Sequence, residues 1–163
     1  MTARKANRLS HVGEDGSARM VNVGRKAETE RMARVTGHIT MTGEALAAID
    51  ANTIEKGDVL GVARLAGIMA AKRTSDLIPL CHPLTLTDVS VDFVTDSALP
   101  GVRVEAVVRT VGRTGVEMEA LAAATIALLT VYDMTKAMDK SMSINDISLA
   151  EKTGGTSGRY ARP

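Results

Sequence analysis

Two prolines enclose the residues with the clearest chemical potential. The segment reads Pro79-Leu80-Cys81-His82-Pro83. Proline fixes its own backbone and restricts the residue before it, so this segment cannot continue a helix or a strand. An imidazole in general titrates near neutrality, which suits proton transfer or substrate contact by His82, although a loop histidine bonded to backbone fits the same pattern. Cys81 is interpreted as a small packed residue, because a nucleophilic thiol needs a separate base close to it.

Three further titratable residues suit acid–base work. Asp133 and Lys136 are three residues apart at the end of an apolar stretch, so they share a helix face. The apolar surroundings predict a partly buried pair with perturbed pKa values; the alternative is an exposed ion pair of little energetic weight. Lys56 precedes Gly57-Asp58, where a lysine binds phosphate or, once desolvated, acts as an acid. Taken alone, that turn would favour a solvated lysine.

Glu117 and Glu119 lie at the start of the same apolar stretch. Two residues on a helix are separated by about 200° around its axis. Both side chains therefore cannot face one site unless the helix begins between them. At least one is expected to act as a partner of the positive helix N-terminus.

Cations near glycine-containing turns indicate an anionic, phosphate-bearing ligand. Five cations lie around such turns, Lys72, Arg73, Arg109, Arg113 and Lys152, and the first four are the candidate phosphate contacts. The tail Gly154-Gly155-Thr156-Ser157-Gly158 lacks the spacing of a P-loop, so a flexible end is favoured over a phosphate cradle. One Cys and three His, without a CxxC or HExxH motif, argue against a metal site. The pattern predicts acid–base chemistry on a phosphorylated substrate without a metal or another cofactor.

Alternating and helical apolar patterns indicate the elements that position these residues. Alternation over 33–41 predicts a strand, and Thr42 and Asp58 are expected to cap two helices. A strand over 84–93, with a bulge near Asp88, is followed by a return strand over 102–108. A long helix over 117–138 and a strand around 144–149 complete the order. This order predicts an α+β, ferredoxin-like fold, an antiparallel sheet with helices packed on one face.

Composition limits the domain organisation and the partners. The 163 residues suit one domain, which we divide into a flexible arm (1–27), a catalytic domain (28–153) and a Gly-rich tail (154–163). The net charge of +1 and only three aromatic residues argue against nucleic acid as a partner. A single cysteine and no secretory signal indicate a cytoplasmic protein. No membrane association is expected, since the longest apolar stretch (120–132) is shorter than the roughly 18–20 residues of a span.

The long helix carries almost no polar face, and such a helix must be covered on more than one side. One sheet covers one side only. A second subunit is the simplest further cover, so the pattern predicts an oligomer. Tight packing by the other helices of one chain is the alternative.

Longer motifs resemble the cyclic pyranopterin monophosphate synthases, the molybdenum cofactor biosynthesis protein C (MoaC) family. The resemblance runs from about Leu9 to Gly158. The matching runs are KGDV at 56–59, ARLAGIMAAKRT at 63–74, LIPLCHPL at 77–84, TGVEMEAL at 114–121 and YDMTKA at 132–137. The chain departs from the family's usual residues at Asn22, Thr135 and Thr156, where Asp, Cys and Lys are frequent; the last departure puts a phosphate contact from the tail in doubt.

The resemblance implies a lyase that converts (8S)-3′,8-cyclo-7,8-dihydroguanosine 5′-triphosphate into cyclic pyranopterin monophosphate, with loss of diphosphate. It implies a homohexamer of three dimers with active sites at the dimer interface. The catalytic residues that it implies are Lys56, His82, Asp133 and Lys136. The implied substrate contacts are Leu80, Cys81, His82, Met118 and Glu119.

These residue types suit the implied reaction, because opening and re-closing a purine-derived ring needs several proton transfers and no redox change. Cations would stabilise the departing diphosphate. The sequence leaves the order of these transfers open. A non-catalytic nucleotide-binding regulatory module on the same fold is the alternative, since fold alone permits it.

Overall fold

The computed structural model describes residues 15–163 of the chain, and the first fourteen residues of the expected arm lie outside that range. Nine elements follow in chain order: β1 (Thr29–Thr40), α1 (Gly43–Asp50), α2 (Val59–Lys72), α3 (Thr74–Leu77), β2 (Leu86–Asp96), β3 (Gly101–Gly112), α4 (Glu117–Thr135), β4 (Ser143–Thr153) and β5 (Tyr160–Ala161).

The strands form one open sheet in the order β2-β3-β1-β4-β5, and every neighbouring pair is antiparallel. Helices α2 and α4 pack against each other and against this sheet. The α+β fold predicted from the order of elements is therefore confirmed. The ferredoxin-like assignment stays an interpretation of that order. A register shift between Leu86 and Asp88 confirms the bulge expected near Asp88.

Local signals account for where the helices begin. The Thr42 side chain accepts a hydrogen bond from the N–H of Ala45 at the start of α1. The Asp58 side chain accepts one from the N–H of Gly61 at the start of α2. Both expected caps are thus confirmed. Helix α4 ends at Thr135, three residues before the predicted end, because the chain then turns toward β4.

The core lies between the sheet and α2 and α4. Alternate residues of β1 and β3 are buried, and these are Ala33, Val35, Ile39, Val102, Val104, Ala106 and Val108. Gly67 of α2 lies against α4, where a Cβ would stand only 2.9 Å from the carbonyl oxygen of Ala123. The absence of a side chain at Gly67 therefore allows the two helices to approach closely.

Helix α4 is long and apolar enough to span a membrane by length and composition alone, and about half of its residues are buried inside the protein. The core helix of a globular domain passes the same test. Its packing against α2, β1 and β3 makes α4 the central helix of this fold.

The C-terminal segment returns to the sheet. Tyr160 pairs with Lys152 and Ala161 pairs with Glu151, so the predicted Gly-rich tail contains a short edge strand that the sequence pattern did not indicate. Gly154 and Gly155 have φ angles of +94° and +72°, values that favour glycine. They turn the chain directly after β4 and against β1.

Candidate active site

Three of the predicted catalytic side chains meet at the C-terminal end of α4, and we call them the lysine–aspartate cluster (Lys56, Asp133 and Lys136). The Lys136 Nζ lies 2.7 Å from Asp133 Oδ1. The Lys56 Nζ donates to Asp133 Oδ2 at 2.9 Å and to its backbone carbonyl at 2.8 Å. Hydrogen bonds from Lys136 and then Lys56 lower the pKa of Asp133 to about 2, and the same contact raises the pKa of Lys136. The cluster thus holds one carboxylate between two ammonium groups.

Local structure brings Lys56 to this cluster. The N–H of Gly57 donates to the carbonyl of Ile54 at 2.9 Å, and Gly57 has a φ of +93°. Asp58 then caps α2. A tight turn followed at once by a capped helix therefore fixes the backbone beside Lys56.

The partial burial expected for the pair at the end of α4 is wrong for one copy of the chain. The side chains of Asp133 and Lys136 are 56% and 52% exposed. The buried face of this last turn carries Val131, Met134 and Thr135 instead. The ion pair therefore lies on the exposed side of α4, and the core-facing side of the helix is a different one.

A buried aspartate that sequence reasoning missed holds the segment after α4. Asp139 is 6% exposed. Its Oδ2 accepts the N–H of Thr42 at 2.8 Å, and its Oδ1 accepts the N–H and hydroxyl of Ser141. These bonds lower the pKa of Asp139. Asp139 therefore ties the segment that follows Lys136 to the start of α1.

The segment between the prolines opens onto a cavity of about 540 Å³ near the N-terminal end of α4. We call it the histidine cavity. Its mostly apolar lining includes Val21, Val23, Ile78, Leu80, Cys81, His82, Leu84 and Met118. The Nε2 of His82 lies 2.8 Å from the carbonyl oxygen of Val21. Three of the predicted substrate contacts (Leu80, Cys81 and Met118) and His82 thus share one cavity.

Beside this cavity, the Cys81 thiol and the Glu119 carboxyl form a hydrogen-bonded pair. The Cys81 Sγ donates to Glu119 Oε1 at 3.7 Å, and Glu119 is 3% exposed. Burial, together with the nearby carboxyl, raises the pKa of Cys81 to about 11, and burial raises the pKa of Glu119. Within residues 15–163, Glu119 Oε2 has no hydrogen-bond partner. Burial therefore shifts both groups toward their neutral forms.

A second cavity, of about 650 Å³, adjoins the first. We call it the cationic cavity. Its basic residues are Arg25, Lys26, Arg31, Arg113 and Lys152. The two cavities share Lys26, Thr114, Gly115 and Glu117, so they form one continuous groove.

Two strong contacts shape the cationic cavity. Sequence reasoning missed Arg31, and it named Lys152 among the cations near the turns but not among the candidate phosphate contacts. The Lys152 Nζ lies 2.8 Å from Glu117 Oε1, and the Arg31 Nε donates to the carbonyl of Gly112 at 2.8 Å. Glu117 thus pairs with Lys152 while Glu119 contacts Cys81, as their helical separation predicts. Long-range sheet pairing, rather than any local motif, brings Arg31 and Lys152 together.

Of the four predicted phosphate contacts, Arg113 lines the cationic cavity and pairs with Glu28 at 3.5 Å. Lys72 and Arg73 lie at the C-terminal end of α2 and line neither cavity. Arg109 lies on β3, 3.8 Å from Asp88, and lines a smaller groove beside Arg31.

One copy of the chain does not bring His82 to the lysine–aspartate cluster. Glu119 and Asp133 are 14 residues apart on α4, which is about 21 Å along the helix axis. A proton donor must lie within about 3 Å of the atom that it serves. The four predicted catalytic residues therefore form two half-sites at opposite ends of one helix.

Within 15–163, no group of three or more His, Cys, Asp or Glu side chains is arranged to hold a metal ion. The chemical features of the site are two carboxyl groups whose pKa values are shifted in opposite directions, and a groove lined by cations. On an α+β fold, such features are typical of the class of proteins that handle protons and phosphate on a small molecule.

The comparison with known proteins narrows that class. The model of the MoaC family matches residues 20–155, so the chain belongs to the MoaC family. It is 57% identical to the cyclic pyranopterin monophosphate synthase of Brucella ovis over 156 residues, 96% of this chain and 94% of that protein. The synthases of Dinoroseobacter shibae and a Jannaschia species are 57% and 56% identical over 93% and 96% of this chain, and 96% of each relative is covered.

Proposed function

We propose that this chain is a cyclic pyranopterin monophosphate synthase. It converts (8S)-3′,8-cyclo-7,8-dihydroguanosine 5′-triphosphate into cyclic pyranopterin monophosphate and diphosphate, within molybdenum cofactor biosynthesis. The observation that carries this proposal is the near full-length similarity to relatives with that name. No feature of the described residues favours the regulatory alternative over it.

The continuous groove suits such a substrate. Its histidine cavity is mostly apolar, which fits a flat ring system. Its cationic cavity offers Arg31, Arg113 and Lys152, which fit phosphate oxygens. A ligand with a ring at one end and a triphosphate at the other would therefore lie along the groove.

The lysine–aspartate cluster supplies the proton donors. Lys56 and Lys136 can protonate leaving nitrogens, and Asp133 holds both ammonium groups in place. Closing the cyclic phosphate is an internal attack of a substrate oxygen on the α-phosphorus. The bond from that phosphorus to the bridging oxygen breaks, and diphosphate leaves with its negative charge stabilised by the cations of the groove.

A second copy of the chain would unite the two half-sites. One exposed or half-buried stripe of α4 runs from one half-site to the other, and it comprises Met118, Ala122, Thr125, Leu129, Asp133 and Lys136. Its middle lies near Thr125. If two copies cross antiparallel about a two-fold axis near Thr125, each N-terminal half-site faces the other copy's lysine–aspartate cluster. Two complete sites result.

Exposed apolar side chains support this self-association. Leu129 of α4 is 51% exposed and Leu65 of α2 is 59% exposed. Exposed apolar side chains on adjacent helices are typical of a surface that contacts another protein. We extend the proposal to a homohexamer of three such dimers in the cytoplasm. The metal independence expected from the sequence is part of the same proposal.

Incubation of the purified protein with the cyclised GTP intermediate tests the reaction. We expect one diphosphate and one cyclic pyranopterin monophosphate for each substrate consumed, measured by a coupled diphosphate assay and by fluorescence of the oxidised pterin. Binding of the intermediate without diphosphate release would favour the regulatory module instead.

Mixed oligomers test the shared site. Lys136→Ala and His82→Ala, each inactive alone, would be co-expressed with different tags. Random pairing places one intact site in every mixed dimer, so about a quarter of the wild-type activity returns. No return of activity would show that each copy works alone. Thr125→Cys in a Cys81→Ser background should also cross-link copy to copy, whereas the same change at Ala98, in the β2–β3 turn, should not.

A further inference from the structure

The segment formed by residues 20–28, which we call the N-terminal segment, lies over the histidine cavity. Val21 and Val23 line that cavity and are half-buried. The carbonyl oxygen of Val21 lies 2.8 Å from Nε2 of His82. Backbone from the expected arm is therefore in direct contact with a predicted catalytic side chain.

Several hydrogen bonds fix the shape of the N-terminal segment. Asn22 Oδ1 accepts the N–H of Gly24 at 2.9 Å, and the N–H of Lys26 donates to the carbonyl of Val23 at 3.0 Å. An aspartate at position 22 could accept the same bond, so the departure at Asn22 keeps this turn.

Arg113, which directly follows β3, holds the N-terminal segment in place. Its guanidinium bonds the carbonyl of Gly24 at 3.3 Å and pairs with Glu28 at 3.5 Å. The position of the Val21 carbonyl is thus fixed by three features. These are the turn that follows it, the contacts of Arg113 with that turn, and the valine side chains that line the cavity.

The chemistry of this contact assigns the hydrogen on His82. A backbone carbonyl only accepts hydrogen bonds, so Nε2 must be the donor. A neutral imidazole carries one hydrogen, and its lone pair is then on Nδ1. Within the described residues, no protein group bonds Nδ1.

We propose that the Val21 carbonyl positions His82 and makes Nδ1 the nitrogen that exchanges a proton with the substrate. Neutral His82 accepts a proton at Nδ1 and becomes the imidazolium, which returns that proton to a leaving nitrogen. The Nε2–H bond to Val21 persists in both states, so the step needs no further reactant. The catalytic part of this inference rests on the proposed function, whereas the assignment of the hydrogen does not.

Nitrogen-15 NMR of the full-length protein tests the assignment without substrate. The chain has three histidines, and His82→Gln identifies the signals of His82 by their loss. We expect neutral His82 to carry its hydrogen on Nε2. A hydrogen on Nδ1 would overturn the proposal even if the enzyme is active.

A pair of double variants tests the positioning role. Val21→Gly with Val23→Gly removes both side chains that pack the segment into the cavity, and it should mix the two tautomers of His82. A misplaced catalytic group can cost up to about a hundredfold in rate, so we expect kcat to fall about ten- to a hundredfold with a smaller change in KM. The matched control, Ser17→Gly with Ala18→Gly, changes two exposed residues upstream and should leave kcat and the tautomer unaltered.

The outcomes separate this inference from the proposed function. Wild-type protein that releases no diphosphate contradicts the function but leaves the NMR result standing. If the valine variants keep the wild-type melting temperature, tautomer and kcat, the positioning role of Val21 is wrong although the enzyme assignment holds.

Discussion

The two ends of α4 hold carboxyl groups in opposite states. At the C-terminal end, Asp133 is exposed and faces two ammonium groups, which lower its pKa to about 2. At the N-terminal end, Glu119 is buried beside the Cys81 thiol, and burial raises its pKa. The pKa of the same functional group is therefore lowered at one end of the helix and raised at the other.

This difference follows from the contacts rather than from the residue types. Opposite charge within hydrogen-bond distance favours the ionised form, and removal from water favours the neutral form. Pairs of groups with pKa values pushed apart are typical of acid–base sites. In the two-copy site that we propose, the substrate would lie between an exposed ion cluster and a buried carboxyl whose charged form is disfavoured.

Loss of a charged group at the exposed end should have the largest effect. General acid–base groups contribute about 10²- to 10⁴-fold to rate, so Lys56→Ala and Lys136→Ala should each lower kcat by that range. Their melting temperatures should stay near that of the wild type, because all three groups of the cluster are exposed. Arg103→Ala is the control, since Arg103 pairs with Asp96 at 2.8 Å on the surface away from both half-sites. Full turnover in Lys136→Ala would remove that lysine from the mechanism.

Local signals in the sequence identified much of what positions this exposed end. The caps at Thr42 and Asp58 and the turn at Gly57 depend on residues within a few positions of one another, so one sequence is enough to predict them. The spacing of Asp133 and Lys136 likewise predicts a shared helix face. Their exposure was not predictable, because it depends on which face of α4 the sheet covers.

The other end depends on residues that are far apart in the chain, and sequence reasoning recovered less of it. The contact between Val21 and His82 joins residues 61 positions apart, and the pair of Lys152 and Glu117 joins residues 35 apart. No local period or motif encodes such pairings. The motif resemblance pointed to His82 and Glu119, whereas the geometry that relates them became visible only in the folded chain.

A titration can test the ionised state at the exposed end directly. In the wild type we expect the Asp133 carboxyl to protonate at about pH 2. Lys136→Ala removes the largest cause of the shift, so the pKa of Asp133 should rise toward its ordinary value of 3.8. Carbon-13 NMR of the carboxyl measures it, with Arg103→Ala as the control that leaves it in place. An unchanged value in Lys136→Ala would mean that Lys56 alone sets the charge.

The raised pKa of Cys81 at the buried end predicts an unreactive thiol. A pKa raised from 9.0 to about 11 leaves about a hundredfold less thiolate at neutral pH. The higher basicity of that thiolate returns part of its reactivity, so alkylation should be about tenfold slower than for an ordinary thiol. Iodoacetamide labelling of Cys81, compared with Ala98→Cys in a Cys81→Ser background, measures the ratio. Equal rates would contradict the raised pKa of Cys81.

The smallest effect expected is on the pH dependence of the free energy of unfolding. Its sign differs between the two ends of α4. The pKa of Glu119 in the folded state lies above its ordinary value of 4.5, so the folded chain binds this proton more tightly than the unfolded chain does. The resulting stabilisation is complete below pH 4.5 and is lost as the pH rises through the raised value. Asp133 has the opposite sign: its stabilisation is present above 3.8 and is lost as the pH falls toward about 2.

Glu119→Gln mimics the neutral carboxyl at every pH, so it should remove the first of these trends. Near pH 4.5 the free energy of unfolding should lie within about 1.5 kcal/mol of the wild type, as for a volume-conserving change. At about pH 8, the free energy of unfolding of the variant, measured with urea, should have risen relative to that of the wild type, because the proton-linked stabilisation of the wild type falls as the pH rises above 4.5. Glu105→Gln is the control, because it makes the same substitution in a side chain that is 48% exposed. A difference between Glu119→Gln and wild type that is constant across this pH range would mean that Glu119 is ionised in its buried position, and the contrast between the two ends of α4 would disappear.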